Sequence, residues 1–453
     1  MKKLLLMTAF LLPMVANAQL GSLVEQPVGG DWGKIVRIWQ DSNKVLSYGR
    51  INLNQQSALA FCLSDYPDFY ATPPSPPMLT VNYANLSAAF PSTSNMRFTN
   101  IRDMRIVDNF AFVCGNLVDT NYPMNPRGAI GWFKMNNFAA GNVNFYYFEI
   151  PQVRYLKKIA VYNNGQNYTV MAAGMSNFGD CIVEVPNAMT YPPCSYSIGY
   201  LGSNEVVDDI LVNSTDVFFV GHQSPSGGNG QLFIRKIKRI NGLADPYLHL
   251  RYDYPASINE INGWTYSTLM GDEQIATAYV NPNGAGTMVF PTRIRMISTT
   301  TMNMVNSQEI TKENKWEPEE IIYLDRKGKL VLLQEIDKVW TFTILDPRLY
   351  TSYTTNYLYF PDQTFYSLDG DHDDLFVSTG TGHWLYFQRQ GMTLPSPNGC
   401  PKNDPIKVEP IQNIPTVITN SSVTIIPPSS PVYNVSIVID TLPSSNICSS
   451  PLH

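Results

Sequence analysis

A chain of 453 residues that is 44% hydrophobic, with 21 Phe, 26 Tyr and 7 Trp, has the apolar material for a large core. Charged residues make up only 15% of it and the formal net charge is −6; Asn, Ser, Thr and Pro supply the polar surface that charge covers in ordinary soluble domains. An acidic balance excludes nucleic acid as the expected partner, because neutralising phosphates needs a basic face.

Met1 to Ala18, MKKLLLMTAFLLPMVANA, sets two lysines before an apolar run, Leu4 to Val15, and ends on Ala16-Asn17-Ala18. This layout predicts a cleaved secretory leader (residues 1–18), too short for a permanent span. The mature chain is expected to start at Gln19, with 29 basic against 37 acidic residues. No Cys follows the cleavage site, so no lipid anchor is expected. The destination is secreted, periplasmic or cell-surface. No later stretch approaches the ~20 apolar residues of a membrane helix. Between Leu20 and Trp32, one possible strand, Ser22 to Gln26, precedes the Gly29-Gly30 break.

From Lys34 onward the chain repeats one unit: a strand, an Asp/Asn/Gly turn, then a mostly apolar strand closed by a small or polar residue. Its clearest copy is Ile101 to Met135, with Met104 to Val107, the Asp108-Asn109 turn, Phe110 to Cys114 closed by Gly115, and a third run, Ala129 to Lys134. Short β-branched and aromatic runs bounded by Asn, Asp, Gly and Pro are the strand signal. Equivalent closing positions are Gly49, Gly115, Gly174, Gly221, Ala278, Gln334 and Gly380, which lie 46 to 66 residues apart. A self-similar period near 50 residues, all strand, predicts the blades of a β-propeller over residues 19–390. Seven copies are counted; six and eight are the neighbouring alternatives. The last copy supplies only three strands, ending at His383 to Gln390, so the Ser22 to Gln26 strand is expected to complete it and remove an exposed edge. Pro67 to Pro77 is a Pro-rich excursion that cannot join a ladder, and no amphipathic helix of ten or more residues is evident.

Beyond Gln390 the composition turns to Pro and Ser. Residues 391–453 form a C-terminal extension with two strand-like runs, Thr416 to Ile426 and Tyr433 to Ile439, which predict a β-hairpin packed on the ring or a disordered stalk. Six cysteines in an exported chain suggest disulfides: Cys181 with Cys194 within one unit, Cys400 with Cys448 around the extension, and Cys62 with Cys114 between neighbouring units. Fifteen pairings are possible, and buried free thiols compete with them. With no C-x-x-C and no His pair at ligand spacing, neither zinc nor any other metal or cofactor is expected.

Three features bear on chemistry. The acidic cluster Asp369 to Asp374, DGDHDD, has the look of a calcium loop but lacks the Gly at position six and the Glu at position twelve. It occupies the turn slot between the first and second strands, which favours Asp for backbone reasons. Asp208-Asp209 and Glu319-Glu320 are adjacent pairs, expected on opposite faces of a strand and at its solvated edge. The polar loops between second and third strands, Asn116 to Gly128, His222 to Gly230 and Asn281 to Gly286, share one propeller face around the channel mouth. Binding residues gather on such loops, and Asp119, Asn121, Tyr122, Arg127, His222, Asn281 and Asn283 are the candidates there. No G-x-S-x-G elbow, H-E-x-x-H, P-loop or sialidase Asp-box occurs, which leans against an enzyme.

By repeat pattern alone, over about residues 20 to 390, the chain resembles secreted bacterial β-propellers in general. It carries neither a WD dipeptide signature nor a kelch double glycine. No named family follows from it, and the expected role is a non-catalytic protein that recognises an extracellular or envelope protein, a peptide or a glycan on its loop face. The alternative is an extracellular carbohydrate-active enzyme, a glycosidase or lyase, with carboxylates drawn from several blades. Propellers host both.

Overall fold

The computed structural model describes residues 20–25, 34–39, 42, 44–53, 56–65, 79–89, 96–138, 141–165, 167–189, 194–202, 204–223, 230–239, 250–254, 261–280, 291–311, 316–325, 328–336, 339–351, 353–360, 365–371, 374–379, 383–388, 402–410, 417–420, 424–426, 429–430 and 433–449. The leader, the Pro67 to Pro77 excursion, Gly380 and Cys400 lie outside these residues. Among the described residues, helix is confined to single turns at Leu86–Ala89 and Met135–Phe138, and no helix is long and apolar enough to cross a membrane.

After β1 (Leu20–Glu25), the first repeat holds β2 (Ile35–Trp39), β3 (Lys44–Leu53), β4 (Gln56–Asp65) and β5 (Leu79–Asn85). The second holds β6 (Met96–Val107), β7 (Phe110–Asp119), β8 (Tyr122–Lys134) and β9 (Asn142–Ile150). The third holds β10 (Val153–Asn163), β11 (Tyr168–Ser176), β12 (Gly179–Val185), the short β13 (Cys194–Ser195) and β14 (Ser197–Tyr200). The fourth holds β15 (Glu205–Val212), β16 (Asp216–Gln223), β17 (Gln231–Lys238) and β18 (Leu250–Tyr254). The fifth holds β19 (Asn262–Met270), β20 (Gln274–Val280), β21 (Thr292–Ser298) and β22 (Met304–Thr311). The sixth holds β23 (Trp316–Leu324), β24 (Lys329–Ile336), β25 (Val339–Leu345) and β26 (Tyr353–Phe360), and the last holds β27 (Phe365–Asp371), β28 (Asp374–Thr379) and β29 (His383–Gln388). Within each repeat the strands pair antiparallel with their sequence neighbours, except in the third, where β12 pairs with β14 and β13 stands outside the ladder. β1 lies antiparallel beside β29 and supplies the fourth strand that the last repeat lacks.

The first strands stand side by side in the order β2, β6, β10, β15, β19, β23, β27, and β27 returns to β2. The sheets therefore radiate from a common channel: the fold is an all-β propeller. Strand alternation supplies the glue between sheets. On β7, Ala111 and Val113 pack toward the first repeat, whereas Phe112 and Cys114 pack toward the third. Each such layer is fully buried; truncating a residue like Phe112 to Ala would cost ~3–5 kcal/mol.

The closing glycines have a steric cause. A Cβ on Gly115, Gly174 or Gly221 would run into the backbone carbonyl oxygen of Asn100, Tyr155 or Val206 on the first strand of the same repeat. In each case a β-bulge follows on that first strand, and a bulge brings backbone close to its neighbour. At Gln334 the glycine is replaced by a side chain with work of its own. Its amide donates to Thr292 Oγ1 at 2.9 Å and accepts from Thr343 Oγ1 at 3.2 Å, bridging the fifth and sixth repeats.

The extension, β30 (Lys402–Pro410), β31 (Val417–Asn420), β32 (Thr424–Ile426), β33 (Ser429–Ser430) and β34 (Tyr433–Ser449), overturns the hairpin expectation. Among the described residues its strands do not pair with one another. They run backward around the ring, adding to β22 and β26, then β18, then β14 and β13. Successive stretches of β34 then add to β9, β5 and β1. The last repeats thus lose the free outer edge that invites aggregation.

Strand pairing corrects the expected blade number: six blades result, not seven. β30 is the physical reason. Its Lys407 and Val408 pair with β22 on one side and β26 on the other, fusing the fifth and sixth repeats into one nine-stranded sheet.

The disulfide expectations for Cys62, Cys114 and Cys181 are also corrected, because all three are buried free thiols. Phe61 and Leu63 face the second repeat, so Cys62 between them points the other way, while Cys114 points toward the third repeat. The two sulfurs are turned from one another by strand alternation. Cys181 sits in the apolar layer between the second and third repeats, and Cys194 lies on β13, pairing with Ser430. Burial raises all three thiols well above their ordinary range, which makes them poor nucleophiles.

Candidate functional site at the channel mouth

The turns from second to third strands and the starts of the first strands share one face. Several large apolar side chains lie bare on it. Tyr122 is 68% exposed and Met124 89% on the β8 arm, Phe178 is 80% exposed in the β11–β12 turn, and Trp264 is 51% exposed at the start of β19. Phe178 stands edge-on to Tyr200, ring centres 5.6 Å apart. Cations lie over the aromatic rings nearer the channel: the Arg102 guanidinium is 4.3 Å from the centre of Tyr155, and Lys157 Nζ is 5.2 Å from Trp264. Such contacts pin both partners at ~0.5–1 kcal/mol each when exposed. Tyr155 donates its hydroxyl to Met175 Sδ at 3.4 Å, and Arg154 donates to Asn177 Oδ1 at 2.8 Å. This face therefore presents exposed aromatic and apolar side chains beside Arg102, Arg154 and Lys157.

Five of the residues singled out by sequence, Asp119, Asn121, Tyr122, Arg127 and His222, are among the described residues. Asp119 Oδ1 accepts from the Asn121 amide at 2.8 Å, closing the tip of the β7–β8 hairpin that carries Tyr122. Arg127 is turned away from the mouth, with Nη1 donating to both Glu149 oxygens at 2.9 and 3.0 Å. His222 lies within the ring wall, its Nδ1 2.7 Å from Asp208 Oδ2, within hydrogen-bonding distance of the carboxylate. Asn281 and Asn283 lie outside the described residues. Sequence reasoning passed over Trp264, Phe178, Lys157 and Arg102. Phe178 did carry a signal, since a large aromatic in a four-residue turn has no backbone reason to be there.

Below the mouth, carboxylates tie the first strands together. Each first strand is an inner edge whose outward amides lack a ladder partner, and side chains of the preceding repeat supply one. Asp103 Oδ2 accepts from Ile159 at 3.1 Å, Asp209 Oδ2 from Ser267 at 3.0 Å, Glu320 Oε2 from Leu368 at 2.8 Å and Asp369 Oδ2 from Ile38 at 2.6 Å. Asp208 adds a further tie, accepting from Thr265 at 3.2 Å. The expectation for Asp208-Asp209 is therefore overturned. Both are buried, and both reach the same neighbouring strand, because the bulge at Asp208 breaks the alternation that would have separated them.

Arg37 completes the network. It donates to Met104 O, Val36 O and Asp103 Oδ1, each at 2.7 Å, and lies 3.6 Å from Glu320 Oε1. Burial alone would raise Asp103, but Arg105, Arg37, Lys158 and the Ile159 amide outweigh it and bring the carboxyl down to about 2. Glu320 and Asp369 go the other way: burial pushes both above the ordinary carboxylate range despite Arg37. Asp180, which accepts from Lys157 Nζ at 2.6 Å, is likewise raised by burial.

The acidic DGDHDD cluster divides. Asp371 of β27 pairs with Asp374 of β28, while Asp369 belongs to the channel network. Asp373 lies outside the described residues. Among those described, no group of three or more His, Cys, Asp or Glu is arranged to hold a metal.

Radial sheets, a closed circle of first strands and a channel lined by strand edges define the class: a β-propeller. Among solved structures the chain is similar to the Dos1 propeller, with a TM-score of 0.46 and 8% identity over 84% of this chain and 97% of that one. No protein-family model matches the chain, and no curated protein does.

Proposed function

We propose that this is a secreted bacterial binding protein that recognises a peptide, protein or glycan on its loop face. The observation that carries the reading is the exposure of Phe178, Trp264 and Tyr122 on this face, with Lys157 over the Trp264 ring and Arg154 bonded to Asn177 beside Phe178. Large apolar side chains rimmed by polar groups on a rigid scaffold mark interaction sites. Aromatic and Arg anchors dominate binding energy where they are found. Secretion rests on the leader at Met1 to Ala18 and the sparse charge of the chain.

The enzyme alternative has one observation in its favour. Glu320 and Asp369, from adjacent repeats, are both held above the ordinary range by burial, as a general acid requires. Each is nonetheless engaged by an amide of the next repeat, which suits a structural tie better than proton transfer. Screening the mature protein on glycan and peptide arrays, with mass spectrometry of each hit after incubation, separates the readings. Retention of an unaltered hit supports binding; cleavage of it supports the enzyme.

A further inference from the structure

Beneath the ring of carboxylate ties the channel widens into a cavity of about 310 Å³, lined by first strands of six repeats. That volume is at the lower end of the ~300–1,000 Å³ range of ligand pockets. Its wall has two zones. The zone next to the ties carries Lys158, Arg105, Asp209, Glu320 and Asp369; the zone toward the turns is apolar, with Leu211, Leu269 and Ile322.

The charges there are not all spent on one another. Arg37 and Asp103, just behind the wall, are saturated by close hydrogen bonds. Lys158 Nζ, by contrast, is 3.9 Å from Asp209 Oδ1, and Arg105 Nη2 is 3.6 Å from Asp103 Oδ2. Both contacts lie beyond hydrogen-bonding distance, so the donors keep capacity for a ligand. Glu320 Oε2 accepts from the Leu368 amide at 2.8 Å and the Ser367 hydroxyl at 3.3 Å, while Oε1 lies 3.6 Å from Arg37 Nη1. The Ser267 hydroxyl, on the same wall, is buried without a hydrogen-bond partner.

We infer that this cavity binds a small aliphatic zwitterion of the α-amino-acid class. Its carboxylate lies against Lys158 and Arg105, its ammonium on Glu320 Oε1, and its side chain against Leu211, Leu269 and Ile322. A plain anion would meet Asp209, Glu320 and Asp369, and a plain cation would meet Lys158 and Arg105. A molecule bearing both charges answers both sets. Charge-assisted hydrogen bonds are the strong ones, and a polar group left unpaired on burial is penalised. Burial-raised Glu320 and Asp369 fit carboxylates that would gain from a bound ammonium. The inference stands apart from the loop-face reading, since the cavity lies on the far side of the carboxylate ties.

L-Valine, isovalerate and isobutylamine share one carbon skeleton and differ in the charges they carry, so calorimetric titration of the full mature chain with each tests the inference. Valine is expected to bind saturably, with isovalerate and isobutylamine each at least ~10-fold weaker, a difference of one charged hydrogen bond. Lys158→Met and Glu320→Gln are each expected to weaken valine to a similar degree. Absence of saturable valine binding up to ~10 mM, or equal binding of either singly charged analogue, overturns the inference. So does a folded Lys158→Met or Glu320→Gln protein with unchanged valine affinity. The three-ligand comparison on the wild type decides the matter even where a variant does not fold.

Discussion

Asp103 Oδ2 accepts a hydrogen bond from the Ile159 backbone amide at 3.1 Å, joining the first strand of the second repeat to that of the third. Its other oxygen receives Arg37 of the first repeat at 2.7 Å. One buried carboxylate thus holds three repeats. Asp103→Asn would leave the Arg37 guanidinium buried beside a neutral amide, and breaking a buried pair in this way costs ~3–5 kcal/mol. A urea melt should show that loss in the midpoint with an unchanged slope. A variant as stable as the wild type would show the tie to be dispensable.

The same network predicts an unusual acid response. Asp103 is lowered to about 2, so its contribution is present above its ordinary value and is lost as pH falls toward 2. Asp216 and Asp346, lowered by lysine partners despite burial, carry the same sign. Glu320, Asp369 and Asp180 are raised by burial; their ionised forms cost stability, and protonation on acidification relieves that cost. Melting temperature should therefore hold or rise from neutral to about pH 5 and fall only in stronger acid. A steady decline beginning at neutral pH would contradict this assignment of signs.

Gly115→Ala should be severely destabilising, because the added methyl meets the Asn100 carbonyl oxygen and main chain cannot yield as a side-chain tip can. Overpacking of this kind costs ~1–3 kcal/mol or more. Ala278→Gly at the equivalent position of the fifth repeat should cost only ~0.5–1 kcal/mol. Thermal melts of the two variants should differ by several degrees; equal melts would show that the close approach at Gly115 is not a constraint.

Removing residues 391–453 would strip the added outer strands from the ring, including the stretches of β34 on β9, β5 and β1. Exposed edges template pairing with other chains. The truncated protein should melt lower and elute as concentration-dependent oligomers in size-exclusion chromatography with light scattering. A monomer of unchanged melting temperature would mean that the extension contributes nothing to closure.

The repeat was legible because sterics wrote it: Gly115, Gly174 and Gly221 recur in the second, third and fourth repeats, where a bulged first strand presses on its neighbour. The closing role of β1 was legible too, since a three-strand repeat needs a fourth. The destination of the extension was not, because pairing of short Pro-spaced strands such as β31 and β32 is set by edges elsewhere in the chain. Asp208-Asp209 misled for a related reason. Period-two alternation assigns adjacent residues to opposite faces, and a single inserted residue cancels it without any mark in composition. At the candidate site, polar loops drew attention to His222, which is taken up by Asp208, while the bare rings of Trp264 and Phe178 follow from packing that sequence does not display.

Binding at the exposed aromatic face is the central claim, and the affinity of an array-selected ligand for Trp264→Ala, relative to wild type, tests it most directly. Trp264 is half exposed, so its loss should leave the fold intact. If it anchors the ligand, as aromatic hot spots do, Kd should rise ~30-fold, equivalent to ~2 kcal/mol. An unchanged Kd in Trp264→Ala, repeated in Phe178→Ala, would place the binding surface elsewhere and contradict the account.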